Sequence, residues 1–228
     1  MRPDDTLNRL LDAALPHVPF DGWSQAALDA ALTDTGTGPA LGRAVFPRGA
    51  VDLALAYHRR GDDAMAERIA AAPDMATLRF RDRIAAAVRF RLDAVEDKEL
   101  VRRGLTLFAL PQHAADGSRA LWQTADRIWT ALGDTSDDIN WYTKRATLSA
   151  VYSTTVLYWL GDTSDGHQAT REFLDRRIDN VMQFEKIKAK ARESRAFSTV
   201  FALPLALAAK VRAPSARSDF PGRWPGGR

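Results

Sequence analysis

A chain of 228 residues with 46% hydrophobic and 27% charged residues is long enough to bury most of its apolar surface as one soluble unit or a closely packed pair. The absence of cysteine excludes a disulfide framework, a thiolate metal centre and a thiol nucleophile. The formal charge of +3 is unevenly spread, because Lys186 to Arg228 holds ten Lys or Arg against two acidic residues and leaves the body acidic. A basic tail suits nucleic acid, the inner face of a membrane, or simple solubility.

No basic-then-apolar leader opens the chain and no run reaches the roughly 18 apolar residues of a spanning helix, so a cytoplasmic location is expected. Leu7, Leu10, Leu11, Ala14 and Leu15 recur at spacings of three and four and predict a first helix over Asp4 to Leu15, ended by Pro16 and Pro19. Ser24 is a fitting N-cap for Gln25 to Leu32. Gly36, Gly38 and Pro39 lead into a short helix over Ala40 to Phe46, and a longer one over Ala50 to Arg60 puts Val51, Leu55 and His58 on one stripe.

Four helices with two short ones in the middle resemble the N-terminal domain of TetR-type repressors, whose second and third helices form a helix-turn-helix. Here the segment in the reading position, Gly38 to Phe46, has one arginine and little polar reach. Residues 1 to 50 hold four basic against six acidic side chains, a surface that repels DNA. A degenerate helix-turn-helix over 1–60 is the expectation, with a transcription regulator as the alternative reading.

Beyond Met65 the pattern stays helical. Met75, Leu78, Ile84, Val88, Leu92 and Val95 mark a face, and Arg79, Arg81, Arg83, Arg89 and Arg91 interleave with it. Asp82, Asp93, Glu96 and Asp97 stand at answering distances, so these arginines read as a solvated or ion-paired face. Glu99 to Leu110 gives a short helix closed by Pro111; Gly117 and Ser118 precede another over Arg119 to Leu132, with Trp122, Ala125, Ile128, Trp129 and Leu132 on one side.

The turn Gly133 to Asp138 is echoed by Gly161 to Gly166, and the two bracket a helix of about twenty residues. Ile139, Tyr142, Thr143, Ala146, Ala150, Ser153, Leu157 and Leu160 run along it at helical spacing. Trp141, Leu148, Val151, Tyr152, Thr155, Tyr158 and Trp159 make much of the remaining circumference apolar, so the helix is central to its domain or covered by a partner. A last long helix from Gln168 to about Lys190 turns Phe173, Leu174, Ile178, Val181 and Met182 inward. No strand-like alternation interrupts the series, and the fold class is all-α.

The chemistry-bearing residues are sparse. His17, His58, His113 and His167 form no HxxxH, HExxH or Glu-x-x-His pair and read as surface or hydrogen-bonded side chains. No G-x-S-x-G elbow, P-loop or dinucleotide fingerprint occurs, so neither a catalytic centre, a metal nor a cofactor is expected. Adjacent Trp141 and Tyr142 point about 100° apart on a helix. Either Tyr142 packs inward with Trp141 at the edge of the core, or one of them is an exposed anchor for a protein partner. The apolar run from Ala196 to Ala209, flanked by Arg195, Lys210 and Arg212, is too short to span a bilayer. It fits a helix lying in a membrane interface, kinked at Pro204, or a plain core or dimer helix; Arg212 to Arg228 reads as a disordered tail.

Asp137 to Thr155, with the sequence DDINWYTKRATLSAVYSTT, strongly resembles the signature of the COQ9 family of ubiquinone-biosynthesis proteins. Phe173 to Met182, the Gly22-Trp23-Ser24 turn and Leu110-Pro111 carry the same resemblance. It implies a TetR-like homodimer without DNA binding, whose helical domain over 61–192 shelters isoprenoid quinone intermediates or phospholipid and assists the late hydroxylase of the pathway, as an accessory protein and not a catalyst. By that resemblance Asp137, Asn140, Trp141 and Tyr142 form the hydroxylase-binding patch. A C-terminal amphipathic helix over 193–211, with Arg195, Phe197, Val200, Phe201, Leu203, Leu205, Leu207 and Lys210, meets the membrane; residues 212–228 form the tail. Candidate lipid-lining residues are Leu92, Val95, Leu107, Phe108, Leu121, Trp122, Ile128 and Leu148. The start of the chain at its first helix suggests a bacterial cytoplasm and the inner membrane surface.

Overall fold

The computed structural model describes residues 3–192, with side chains described from 5 to 183. Among the described residues there are ten α-helices, three short 3₁₀ turns and no strand. The membrane-associating residues expected from Arg195 to Lys210, and the tail after them, lie outside the described residues.

The helices are α1 (Pro3–Ala14), α2 (Val18–Asp21), α3 (Gln25–Asp34), α4 (Pro39–Val45), α5 (Ala50–Ala71), α6 (Phe80–Asp93), α7 (Lys98–Phe108), α8 (Ala114–Ala131), α9 (Ile139–Gly161) and α10 (Gln168–Arg192). Two apolar cores are built on them. Leu10, Leu11, Val18, Trp23, Leu28, Phe46 and Leu53 close the first, which ties α1 to α4 onto the start of α5. Met65, Ile69, Val88, Ile128, Trp129, Tyr152, Trp159 and Leu174 belong to the second, under α6, α8, α9 and α10. Helix α5 supplies both, because its early turns face one core and Met65 and Ile69 the other.

Local chemistry sets most of the boundaries. Ser24 accepts a hydrogen bond from the Ala27 amide and caps α3. Pro19 sits in the first turn of α2, where its missing N–H costs nothing, so the chain makes a one-turn helix at Pro19, which was expected only to help end α1. Helix α5 is eleven residues longer than the spacing suggests, running to Ala71 with Gly61 inside it. That glycine has a packing reason: a Cβ there would stand 2.6 Å from the Arg91 guanidinium carbon. Gly117 likewise lies within α8 rather than before it, since a Cβ would meet Phe108 Cβ at 2.7 Å and push α7 away.

Two expected faces are corrected. The 3₁₀ turn Pro73–Ala76 breaks the helical phase ahead of α6, which leaves Leu78 exposed instead of aligned with Ile84 and Val88. In α9 the buried stripe is Arg145, Leu148, Val151, Tyr152, Thr155, Val156 and Trp159. Thr143, Ala146 and Ala150 face outward, and Leu157 is 61% exposed.

The echoed turns prove to be the same device used twice. Asp134 accepts from the Ser136 amide and hydroxyl, and Asp162 accepts from the amide and hydroxyl of Ser164. Each aspartate then ties its turn to a following helix: Asp134 through Lys144 and Arg145 of α9, Asp162 through the amide and hydroxyl of Thr170 in α10. Burial alone would raise the Asp134 carboxyl, yet the donors from Lys144, Ser136 and Arg145 outweigh it and hold it down at about 2. Hydrogen bonds from Ser164 and Thr170 hold Asp162 well below the usual carboxylate range.

Candidate functional site: an apolar chamber with a polar wall

A cavity of about 380 Å³ lies between α5, α6, α7, α8 and α9. Leu92, Val95, Leu100, Val101, Leu105, Phe108, Leu121, Val156 and Trp159 supply most of its surface, and small residues at Gly104, Ala109, Ala114 and Gly117 keep it open. This volume falls in the range of small-ligand sites, which are mostly apolar with a few placed polar groups.

The polar groups gather on one wall. Arg91, 4% exposed, donates from Nε to Asp62 Oδ1 at 2.6 Å and from Nη2 to the His58 carbonyl at 3.1 Å. Thr124 donates to Asp62 at 3.0 Å, so its oxygen is left to accept from His58 Nε2 at 2.8 Å. That arrangement fixes a neutral His58 with the proton on Nε2 and a lone pair on Nδ1, which stands 3.5 Å from Arg91 Nη2. Burial agrees, pulling the imidazole down to about 4. For Arg91 burial acts against the charge, but Tyr152 and Asp62 outweigh it and raise the guanidinium above its ordinary value. Tyr57 is pushed up to about 12 by burial, and its hydroxyl is buried with no hydrogen-bond partner. The Tyr57 ring packs against Trp23 at 5.2 Å between centroids, and Trp23 Nε1 donates to the Leu100 carbonyl at 2.9 Å.

Of the side chains expected to line a lipid chamber, Leu92, Val95, Phe108 and Leu121 share this cavity. Leu107 packs against the first core instead, Ile128 is fully buried in the second, and Leu148 borders a smaller cavity of about 200 Å³ beside α10. Trp122 joins the aromatic patch: its ring centroid is 5.8 Å from Trp141 and 6.4 Å from Tyr142, which meet each other edge-on at 4.8 Å. All three rings are half-buried, and the Arg145 guanidinium lies 4.1 Å from the Trp141 centroid. Asp137 and Asn140 are exposed beside them, so the structure brings the four expected partner-binding residues to one end of α9.

The polar wall was not foreseen. Arg91 reads in the sequence as one of five arginines on a solvated or paired face; it is paired, but buried, and its carboxylate comes from α5 and not from its own helix. Other arginines of that face do find partners, Arg79 with Asp82 at 2.8 Å and Arg81 with Asp179 of α10 at 2.8 Å. The one local sign was His58 and Asp62 at i,i+4 on α5. Among the described residues no group of three His, Asp or Glu side chains is placed to hold a metal ion, and no helix is long and apolar enough to cross a membrane.

An all-helical chain with a small N-terminal helical head and a ligand-sized chamber among its longer helices has the TetR-like architecture. The likeness extends to the crystal structure of a TetR transcriptional regulator from Nitrosomonas europaea, with a TM-score of 0.63 over 77% of this chain and 97% of that one, at 19% identity. That similarity concerns the fold alone. Residues 114–185, which contain α8, α9 and the first part of α10, match the COQ9 family model. The chain is 33% identical over 181 residues to the mitochondrial ubiquinone biosynthesis protein COQ9 of Drosophila melanogaster, covering 78% of this chain and 55% of that protein. It is 27% identical to the probable mitochondrial ubiquinone biosynthesis protein coq9 of Dictyostelium discoideum, over 82% and 62% of the two, and 28% identical to human mitochondrial COQ9, over 77% and 57%. The chain is similar to the COQ9 family over these residues and to these COQ9 proteins over most of its length, and it spans between 55% and 62% of the length of these relatives.

Proposed function

We propose that this protein is a non-catalytic, lipid-binding accessory factor of ubiquinone biosynthesis, which shelters a polyprenyl quinone intermediate or phospholipid and serves the late-pathway hydroxylase at a membrane surface. The observation that carries the reading is the apolar chamber of about 380 Å³ in a chain similar to proteins named for ubiquinone biosynthesis. Each buried methylene of such a ligand contributes about 0.8 kcal/mol, so a few isoprene units suffice to draw it from water.

The patch at Trp122, Trp141, Tyr142, Asp137 and Asn140 suits the hydroxylase, because clustered aromatics with a polar rim concentrate binding energy. Homodimerisation and a membrane contact through Ala196 to Lys210 complete the proposal, with the inner membrane surface of a bacterium as its place. The regulator alternative is disfavoured by α4, whose exposed face offers Pro39, Ala40, Leu41, Arg43 and Ala44, a poor set for phosphates or base edges.

The test is the quinone profile of a strain deleted for this gene. Accumulation of the hydroxylase's substrate at the expense of ubiquinone, reversed by the wild-type gene and not by Trp141→Ala made at equal protein level, is expected. An unchanged profile would overturn the proposal.

A further inference from the structure

The smaller cavity, of about 200 Å³, lies against a different face of α9 from the chamber. Phe80 and Ile84 of α6, Trp129 of α8, Leu148 of α9, and Ile178 and Met182 of α10 make it mostly apolar. Two of these side chains are open to water, Phe80 at 44% and Met182 at 38% exposure. An apolar cavity of about 150 Å³ holds a benzene ring, so this one has room for an apolar side chain brought from outside.

Helix α10 walls the cavity and then carries the chain past it. It runs antiparallel to α9, with Tyr158 stacked on Phe173 at 4.4 Å between centroids and Val151 sharing the cavity with Ile178 and Met182. Its end at Arg192 therefore comes level with Ile139, where α9 begins. Three residues further on starts the run Ala196 to Ala209, uncharged throughout, with Phe197, Val200, Phe201, Leu203, Leu205 and Leu207 in it. Left in water, such a run exposes more apolar surface than a soluble chain ordinarily shows. Its reach is sufficient: at 1.5 Å per residue Met182 stands about 15 Å back from Arg192, and the run covers at least about 21 Å. Charge favours the same course, because Lys186, Lys188, Lys190, Arg192 and Arg195 precede the run and the turn before α9 carries Asp137 and Asp138.

We propose that in water the run Ala196 to Ala209 turns back along α10 and seats on the cavity between α6, α9 and α10, and that at a membrane it leaves this seat for the bilayer. One set of apolar side chains serves both places, so cavity and bilayer compete for it. Asn140 lines the cavity and also belongs to the end of α9 expected to meet the hydroxylase. A run in the cavity crowds that end, and a run in the bilayer clears it for docking. The proposal rests on the reading that the run meets a membrane, and adds where the run lies otherwise.

The chain has no cysteine, so an engineered thiol is the only one that reacts. Full-length Met182→Cys, treated with a water-soluble maleimide, is expected to react about tenfold more slowly than the same thiol in a chain that also carries Phe201→Asp and Leu205→Asp, as for a seat filled nine-tenths of the time. Vesicles of phosphatidylglycerol and phosphatidylethanolamine are expected to raise the slow rate to the fast one and to leave the fast one unchanged. Equal rates without vesicles would refute the seat, and a slow rate that falls further as protein concentration rises would give the cavity to a second copy instead. No acceleration by vesicles that do sediment the chain would refute the exchange. A chain that fails to sediment with them would refute the membrane reading, while the comparison with the two aspartates still decides the seat.

Discussion

Arg91 is the residue on which the interior turns. A guanidinium 4% exposed is tolerable only because Asp62 is 2.6 Å away and the His58 carbonyl takes a second donor. Arg91→Met is therefore expected to cost about 3–5 kcal/mol by leaving Asp62 buried and unpaired, while Asp62→Leu combined with Arg91→Met costs much less. Urea titration of the two variants and the single Asp62→Leu measures the difference; a loss in the double variant equal to the sum of the two single losses would show that the pair is not coupled. His58 gives the same wall a pH signature. Its folded value near 4 lies below the ordinary 6.5, so the unfolded chain takes the proton first. Stability is full above pH 6.5 and falls as pH drops toward 4, by up to about 3 kcal/mol at 1.36 kcal/mol per unit. Denaturation midpoints between pH 7 and 4 should show this slope in wild type and a flatter one in His58→Gln. A further loss below pH 4 belongs to Asp134 and Asp162, whose carboxylates are held ionised in the fold. Beyond the i,i+4 pair of His58 and Asp62, this wall could not be read from spacing, because the partners Asp62, Arg91 and Thr124 lie on three helices, 29 to 62 residues apart.

Helix α9 shows what a pattern can and cannot reveal at the next scale. Its ends were legible: the acidic turn before it does cap it, Asp138 accepting from the Asn140 amide, and Asp138→Ala should cost about 1 kcal/mol. Its inward face was not, since apolar side chains surround most of the helix and no stripe stands out from the others. Packing against α8 decided the matter, with Arg145 reaching Asp126 at 2.5 Å and Asp134 at 3.0 Å and fixing the rotation of the helix. Thermal melts can check the assignment. Leu148→Ala, in the core, should cost about 2–5 kcal/mol, and Leu157→Ala, at 61% exposure, less than about 0.5 in the monomer. Trp141 lies between these cases. Stacked on Tyr142, Trp122 and Arg145 but half-exposed, it should cost about 1–2 kcal/mol when cut to alanine, so a partner-binding defect in Trp141→Ala is meaningful only where the fraction folded is matched.

Across the whole molecule, two cores meet on α5, and the chamber opens where they join, with Trp23 and Ala54 contributed from the side of the first core and Tyr152, Val156 and Trp159 from the second. The all-helical class and the helices α1, α3, α4 and α5 of the head, though not the short α2, were legible because capping residues and prolines punctuate the chain locally. The chamber was half legible: Leu92, Val95, Phe108 and Leu121 could be named as apolar, but only packing determines which apolar side chains leave space between them; Ile128 fills its own, and Leu148 borders a different, smaller cavity. The glycines at 104 and 117 were the clue left unused, since Gly117 marks where α8 comes close to Phe108 of α7 and Gly104 lies against Trp23, both beside the chamber. The measurement that tests the lipid chamber most directly is the native mass of the intact chain, prepared without detergent, beside that of Val101→Trp, which places an indole in the cavity. One extractable lipid per wild-type chain, lost from a Val101→Trp protein that still melts cooperatively, is the expected result. A wild-type chain that carries no lipid and takes up none, or a filled variant that carries the same load, would contradict it.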